Sequence, residues 1–168
     1  RSTPSTLFTD VSRATGVAYE GLRFGKPGND SDAWNGAAAG DVDGDGRIDI
    51  FVPSSTGYFL YRNTGDGRFS EEAAARGLAG IPGGTGAVFF DYDNDGDQDL
   101  AVAHVGWIDI DRRPRGSTLQ LFANDGSGHF RSVAREVGLD VPRVGYSWSV
   151  FDYDGDGWLD VYVTSLGP

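Results

Sequence analysis

Apolar residues come in short bursts along this chain, each about the length of a single strand. Residues 48–53, 100–104 and 159–164 are aliphatic, β-branched and aromatic runs with alternating character. A helix would instead place apolar residues three and four apart over ten or more positions. A shorter run precedes each of them, at 37–40, 87–90 and 148–151, and further runs lie at 58–63 and 119–124. A fourth strand is expected to start at Phe69 and again at Phe130. Residues 71–76 and 133–137 fit either a strand or a helical turn. Short strands separated by Gly-rich turns predict a hairpin meander, and so an all-β protein.

The bursts repeat. The strings GDVDGDGRIDIFV (40–52), FDYDNDGDQDLAV (90–102) and FDYDGDGWLDVYV (151–163) align without a gap. A second element recurs as NTGDGRF (63–69) and NDGSGHF (124–130), and eight residues after Phe8, Phe69 and Phe130 stand Gly16, Gly77 and Gly138. The three phenylalanines are spaced 61 residues apart. Self-similarity at such a period marks a repeat architecture, in which each unit buries its apolar face against its neighbours. The alignment predicts one repeat domain over 1–168, with units at about 1–17, 18–78, 79–139 and 140–168. Two insertions interrupt the common spacing, at 20–33 and 107–117, and both read as surface loops. The second holds Trp107, Arg112, Arg113 and Arg115. Residues 7–17 are expected to form the fourth strand of a unit without its own Asp loop, and the last unit is expected to stop after its second strand.

Composition narrows the class. Aromatic residues make up 12% of the chain, more than a disordered segment carries. The formal charge of −11 leaves no basic patch for a phosphate backbone, which argues against nucleic acid. No apolar run of membrane-spanning length occurs. There is no cysteine, hence neither a disulfide nor a thiolate metal site, and no methionine, which points to a processed form or a fragment.

Much of the acidity is gathered in the three aligned strings. Each reads D-x-D-x-D-G-x-x-D, a spacing that turns alternate carboxylates toward one centre once the backbone curls. Glycine at the sixth position (Gly46, Gly96, Gly157) permits the sharp turn. The candidate ligands are Asp41, Asp43, Asp45 and Asp49; Asp91, Asp93, Asp95 and Asp99; and Asp152, Asp154, Asp156 and Asp160. At the seventh position Arg47, Asp97 and Trp158 would each lend a backbone carbonyl. An all-oxygen set suits Ca2+ better than the stricter Mg2+, and it offers nothing soft to zinc or copper. Solvated Asp-Gly turns would explain one such string but not three in a common register. The helix-flanked EF-hand is excluded, because its twelfth residue is a bidentate Glu and here that place holds Val52, Val102 or Val163 inside a strand pattern.

The Asp loop, the Asp-[Ile/Leu/Val]-x-Val strand after it and the Asn-x-Gly-x-Gly-x-Phe turn together resemble the FG-GAP/VCBS-type repeats of integrin-α-like β-propellers. The added Phe-x7-Gly-Leu element is similar to bacterial secreted proteins and to the cartilage acidic protein group. The resemblance implies four-stranded antiparallel blades with calcium in the loop between the first two strands, about three units, incomplete at the ends. It also implies a secreted, cell-surface or periplasmic setting.

Three function classes follow. The first is a calcium-stabilised binding or scaffold module for a protein or glycan ligand, with adhesion as its natural role. The second is an assembly protein that pairs with itself or with the remainder of a larger propeller. The third is a part of a secreted propeller enzyme, a lyase, dehydratase or hydrolase, with catalytic residues on loops or outside this chain. The residues favour the first two, since the only histidines are His104 and His129 and no nucleophile elbow or phosphate loop occurs.

Overall fold

The computed structural model describes residues 8–17, 36–54, 57–79, 84–104, 107–108, 114–115, 118–142 and 144–166. The expected insertion at 20–33 lies outside them. Sheet one is a meander of β1 (Ala38–Gly40), β2 (Asp49–Pro53), β3 (Tyr58–Gly65) and β4 (Arg68–Glu71). Sheet two contains β5 (Gly84–Phe90) and β6 (Asp99–His104). A two-stranded ribbon, β7 (Trp107–Ile108) with β8 (Pro114–Arg115), interrupts it before β9 (Gln120–Asn124) and β10 (Phe130–Ser132). The second insertion therefore carries a hairpin of its own. Sheet three pairs β11 (Val144–Phe151) with β12 (Asp160–Leu166). Among the described residues all pairings are antiparallel, giving two four-stranded blades and a two-stranded one beside the ribbon.

Register is the same wherever an Asp string joins two strands. The residue before the string pairs with its last aspartate: Gly40 with Asp49, Phe90 with Asp99 and Phe151 with Asp160. Every loop is thus closed by a ladder at its base, and Val52, Val102 and Val163 lie inside strands as expected.

The sheets stack face to face, and β6 shows how. All six of its residues are buried. Leu100 and Val102 join Phe51, Leu60, Leu78, Phe122 and Phe130 in a core between sheets one and two. Ala101 and Ala103, pointing the other way, join Phe90, Leu119, Leu121, Val133 and Trp148 between sheets two and three. The period-2 alternation of a strand divides one run of apolar residues between two cores. On β12 the same pattern is half used: Val163 packs into the second core, while Tyr162 is 61% exposed.

Glycine sets the spacing at the seams. Gly77 has φ +84° and lies so near the Phe130 carbonyl that a β-carbon would not fit, and Gly16 (φ +87°) meets the Phe69 carbonyl in the same way. The recurring Phe-x7-Gly element is therefore a contact between consecutive units. The ambiguous segments resolve as helical turns: Arg76 N–H donates to Glu72 O and Val137 N–H to Val133 O.

One expectation is corrected. Residues 7–17 were read as a strand, but among the described residues Ser12–Thr15 form a single helical turn capped by Gly16, and Phe8 is 91% exposed. No described strand lies beside Phe8, and an extended segment without a partner leaves its backbone donors and acceptors unpaired.

Candidate metal centre

Three carboxylates from each Asp string come together. Asp41, Asp43 and Asp45 each place one oxygen within 4.8 Å of the others, as do Asp91, Asp93 and Asp99, and Asp152, Asp154 and Asp160. The first aspartate of each string also shapes its loop. Asp41 accepts from Asp45 N–H at 3.1 Å and Gly46 N–H at 2.8 Å, Asp91 from the matching amides of Asp95 and Gly96, and Asp152 from Gly155, Asp156 and Gly157. Positive φ at Gly46, Gly96 and Gly157 makes these turns accessible.

The ninth-position aspartates serve as latches. Asp49 and Asp99 are fully buried. Asp49 accepts from Val42 N–H at 3.1 Å and Asn63 N–H at 2.7 Å; Asp99 accepts from Tyr92 and Asn124 N–H, both at 2.8 Å. Asp160 holds Tyr153 N–H at 2.8 Å. Each thus ties the second residue of its loop to the strand base, and the first two also reach the third strand of their sheet. Asp99 and Asp160 keep an oxygen among the converging trios; Asp49 stands outside its own. The fifth-position Asp95 and Asp156 likewise lie outside the trios, each accepting an amide two residues on, from Asp97 and Trp158. The Trp158 ring is exposed. Arg47, expected to offer only its backbone, also turns its guanidinium onto Asp45 and onto Asn63 O at 2.9 Å.

Electrostatics separate the loops. In the second, burial pushes the Asp99 carboxyl up to about 6, with the charges of Asp93 and Asp95 adding to it against the two amide bonds. Desolvation and then Asp95, Asp91, Asp125 and Asp93 also raise Asp97. These carboxylates repel one another, and a cation among them relieves both effects. In the first loop burial likewise favours the protonated form of Asp43, but the hydrogen bond and charge of Arg62, with the charge of Arg76, outweigh it and hold Asp43 below the usual range. Burial raises Asp49, against amide bonds from Asn63 and Val42.

The donor set fits a hard cation. Every converging atom is a carboxylate oxygen, and Asp43 Oδ1 is buried without a hydrogen-bond partner. A buried, unpartnered anionic oxygen is costly unless something positive faces it.

Two interacting groups were not assigned from sequence. Arg62 and Arg76 both donate to Asp43, and Asn124 bridges two sheets, its Nδ2 donating to Val42 O at 2.8 Å and Gln98 O at 3.0 Å. The arginines left one trace: the second copy of the repeat has Ala123 and Val137 in their places. His104 is buried against Tyr58, sharing a hydrogen bond through Nε2, and so is packed within the fold.

Stacked antiparallel blades with an Asp loop between the first two strands define a repeat protein of the β-propeller class. The FG-GAP-like repeat matches residues 41–102 and 105–163, most of the chain, and each match opens at or close to a loop or its flanking insertion. The chain belongs to the FG-GAP-like repeat family. It is also similar to cartilage acidic protein 1 of Xenopus tropicalis, 28% identical over 133 residues, which cover 78% of this chain. The same stretch is 19% of that much longer protein.

Proposed function

We propose that this chain is a calcium-stabilised extracellular module of propeller blades that presents a binding or scaffolding surface to a protein or glycan. The observation that carries the reading is the threefold trio of carboxylates, repeated in one register on three successive hairpins. Asp41, Asp43, Asp45 and Asp49, Asp91 to Asp99 at alternate positions, and Asp152, Asp154, Asp156 and Asp160 are the proposed ligands, with the carbonyls of Arg47, Asp97 and Trp158. The ion would supply positive charge among the carboxylates, and the residues themselves fix the loop geometry. Millimolar extracellular calcium keeps sites of the affinity common in extracellular modules filled. The family and the similarity to a cartilage protein support that setting. Among the described residues no helix is long and apolar enough to cross a membrane.

Self-association is part of the proposal. Phe151 and Tyr162 on sheet three and Tyr153 in its Asp loop are exposed, whereas Phe90 and Phe51, which hold the matching places of Phe151 and Tyr162 on earlier sheets, are buried by the next sheet. A further blade, from a second copy or from the remainder of a larger propeller, suits that face. Isothermal calorimetry with metal analysis on the full chain tests the calcium reading. About three ions are expected, and fewer than two per chain would overturn it.

A further inference from the structure

The three Asp loops are alike in sequence but not in their surroundings. Arg62, on β3, donates through Nε to Asp43 Oδ2 and through Nη2 to Asp45 Oδ2 at 3.0 Å. Arg76, in the turn after β4, approaches Asp43 Oδ2 at 3.4 Å, and Arg47 pairs with Asp45. These are not loose surface pairs: the side chains of Asp43, Arg76 and Arg62 are 9%, 11% and 23% exposed. Among the described residues no guanidinium pairs with a carboxylate of the second or third loop. The repeat accounts for the difference, because Ala123 and Val137 replace the two arginines in the next copy.

Arg76 also belongs to the seam between sheets one and two. Its Nη1 donates to Ser127 O at 2.7 Å, its Nε to Glu72 at 2.7 Å, and its carbonyl accepts Phe130 N–H at 2.9 Å. One side chain therefore links the first loop to the β9–β10 turn. The carbonyl of Val42, inside that loop, is held from the other side by Asn124. Two attachments cross this seam from the loop itself.

Resting on the reading of the loops as calcium sites, we propose that Arg62 and Arg76 are built-in counter-cations of the first loop. That loop and its seam stay closed without calcium, while the second and third loops need the ion. Guanidinium groups neutralise Asp43 and Asp45 on one side, and Asp43 Oδ1, buried and unpartnered, stays available to a metal on the other. The first loop is consequently the weakest calcium site of the three, because an incoming divalent ion meets positive charge already in place. The chain has one seam locked by its own side chains and one whose loops respond to calcium.

The test is hydrogen exchange on the full chain, in a chelator and in calcium, resolved by loop. In the chelator, the amides of Asp45 and Gly46 should exchange at least about tenfold more slowly than those of Asp95 and Gly96 or Asp156 and Gly157. Arg62→Gln should remove that advantage in the chelator, calcium should restore it, and Arg62→Lys should keep part of it. A parallel calcium titration should find one site weaker than the other two, tightened about tenfold by Arg62→Gln. Equal exchange in all three loops, or an advantage that survives Arg62→Gln, would overturn the proposal. Should Arg62→Gln unfold the chain, the exchange pattern and site affinities of the unaltered protein still decide it. Absence of calcium binding at every loop would overturn the functional reading instead, and the chelator measurement would still judge the arginines.

Discussion

Phe130 N–H donates to the carbonyl of Arg76 at 2.9 Å, across the seam between the first two sheets. The bond draws the next residue, Gly77, against the Phe130 carbonyl, leaving no room for a side chain. Gly138 holds the same place one repeat later with φ +76° and nothing within 4 Å. The pair makes a controlled comparison. Gly138→Ala should cost only the left-handed backbone penalty, about 1 kcal/mol. Gly77→Ala should cost that and the clash, about 2–4 kcal/mol in all. Urea unfolding of the two variants reads the difference, and equal losses would show that the seam is not tight at Gly77.

Asn124→Ala removes two donors and the acceptor of Gly128 N–H in one step. Buried groups left without partners cost about 1–3 kcal/mol, so a loss near the top of that range is expected. Asn63→Ala, whose Nδ2 bond to Ile48 O is solvent-exposed at 3.2 Å, should cost less. Thermal unfolding ranks them.

Asp43→Ala, Asp93→Ala and Asp154→Ala each take one carboxylate from a different trio. A site with Kd on the order of 10⁻⁴ M adds about 1.4 kcal/mol at ~1 mM calcium. Each variant should lose calcium-dependent stabilisation of up to that size. Differential scanning calorimetry with and without calcium measures it, and an unchanged calcium-induced rise in Tm would remove that loop from the set.

Acid should act in opposite directions with and without metal. Burial raises Asp99 to about 6 in the folded chain, above its value in the unfolded chain. Its contribution to stability without metal is therefore full below the unfolded value near 4 and is lost as pH rises through about 6. In a chelator, acidification from pH 7 to 5 should relieve this penalty. In calcium, protons compete with the ion for the same carboxylate, so affinity at the second loop should fall over that range. Calcium titrations at the two pH values check the sign, and an affinity that held or rose at pH 5 would exclude Asp99 as a ligand.

Association through sheet three predicts a concentration-dependent mass by light scattering. Tyr162→Ser should lower it, since Tyr162 stands 61% exposed where Phe51 and Ala101 on the earlier sheets are buried. A monomeric mass throughout the micromolar range, before and after the substitution, would count against self-association.

The strands of the three sheets, their order and the three loops were legible because the repeat exposes them: alternation marks β2, β6 and β12, and the glycine turns end them, whereas the β7–β8 hairpin inside the second insertion was not legible. The helical turn at Ser12–Thr15 was not, since strand formation there depends on a partner that the local sequence does not record. Within the loops, the spacing named four carboxylates each, of which three gather while Asp49, Asp95 and Asp156 lie outside, and it did not show that Asp49, Asp99 and Asp160 bind backbone amides. Arg76 lies 33 residues from Asp43, and only folding of one sheet against the next brings them together. Positions where two copies of a repeat differ were the available hint.

The shared register at the base of the Asp loops also has an electrical outcome. Asn94 of the second loop donates to Gly157 O of the third, and Asn124, bonded to Asp99, holds Val42 O of the first, so all three loops are neighbours along one rim. The aspartates of the three loops therefore lie along that one rim. Filling the loops with divalent ions would weaken the acidic charge most at the second and third loops, where among the described residues no guanidinium pairs with a carboxylate. With the loops read as calcium sites, the field along that rim would depend on the calcium around the chain.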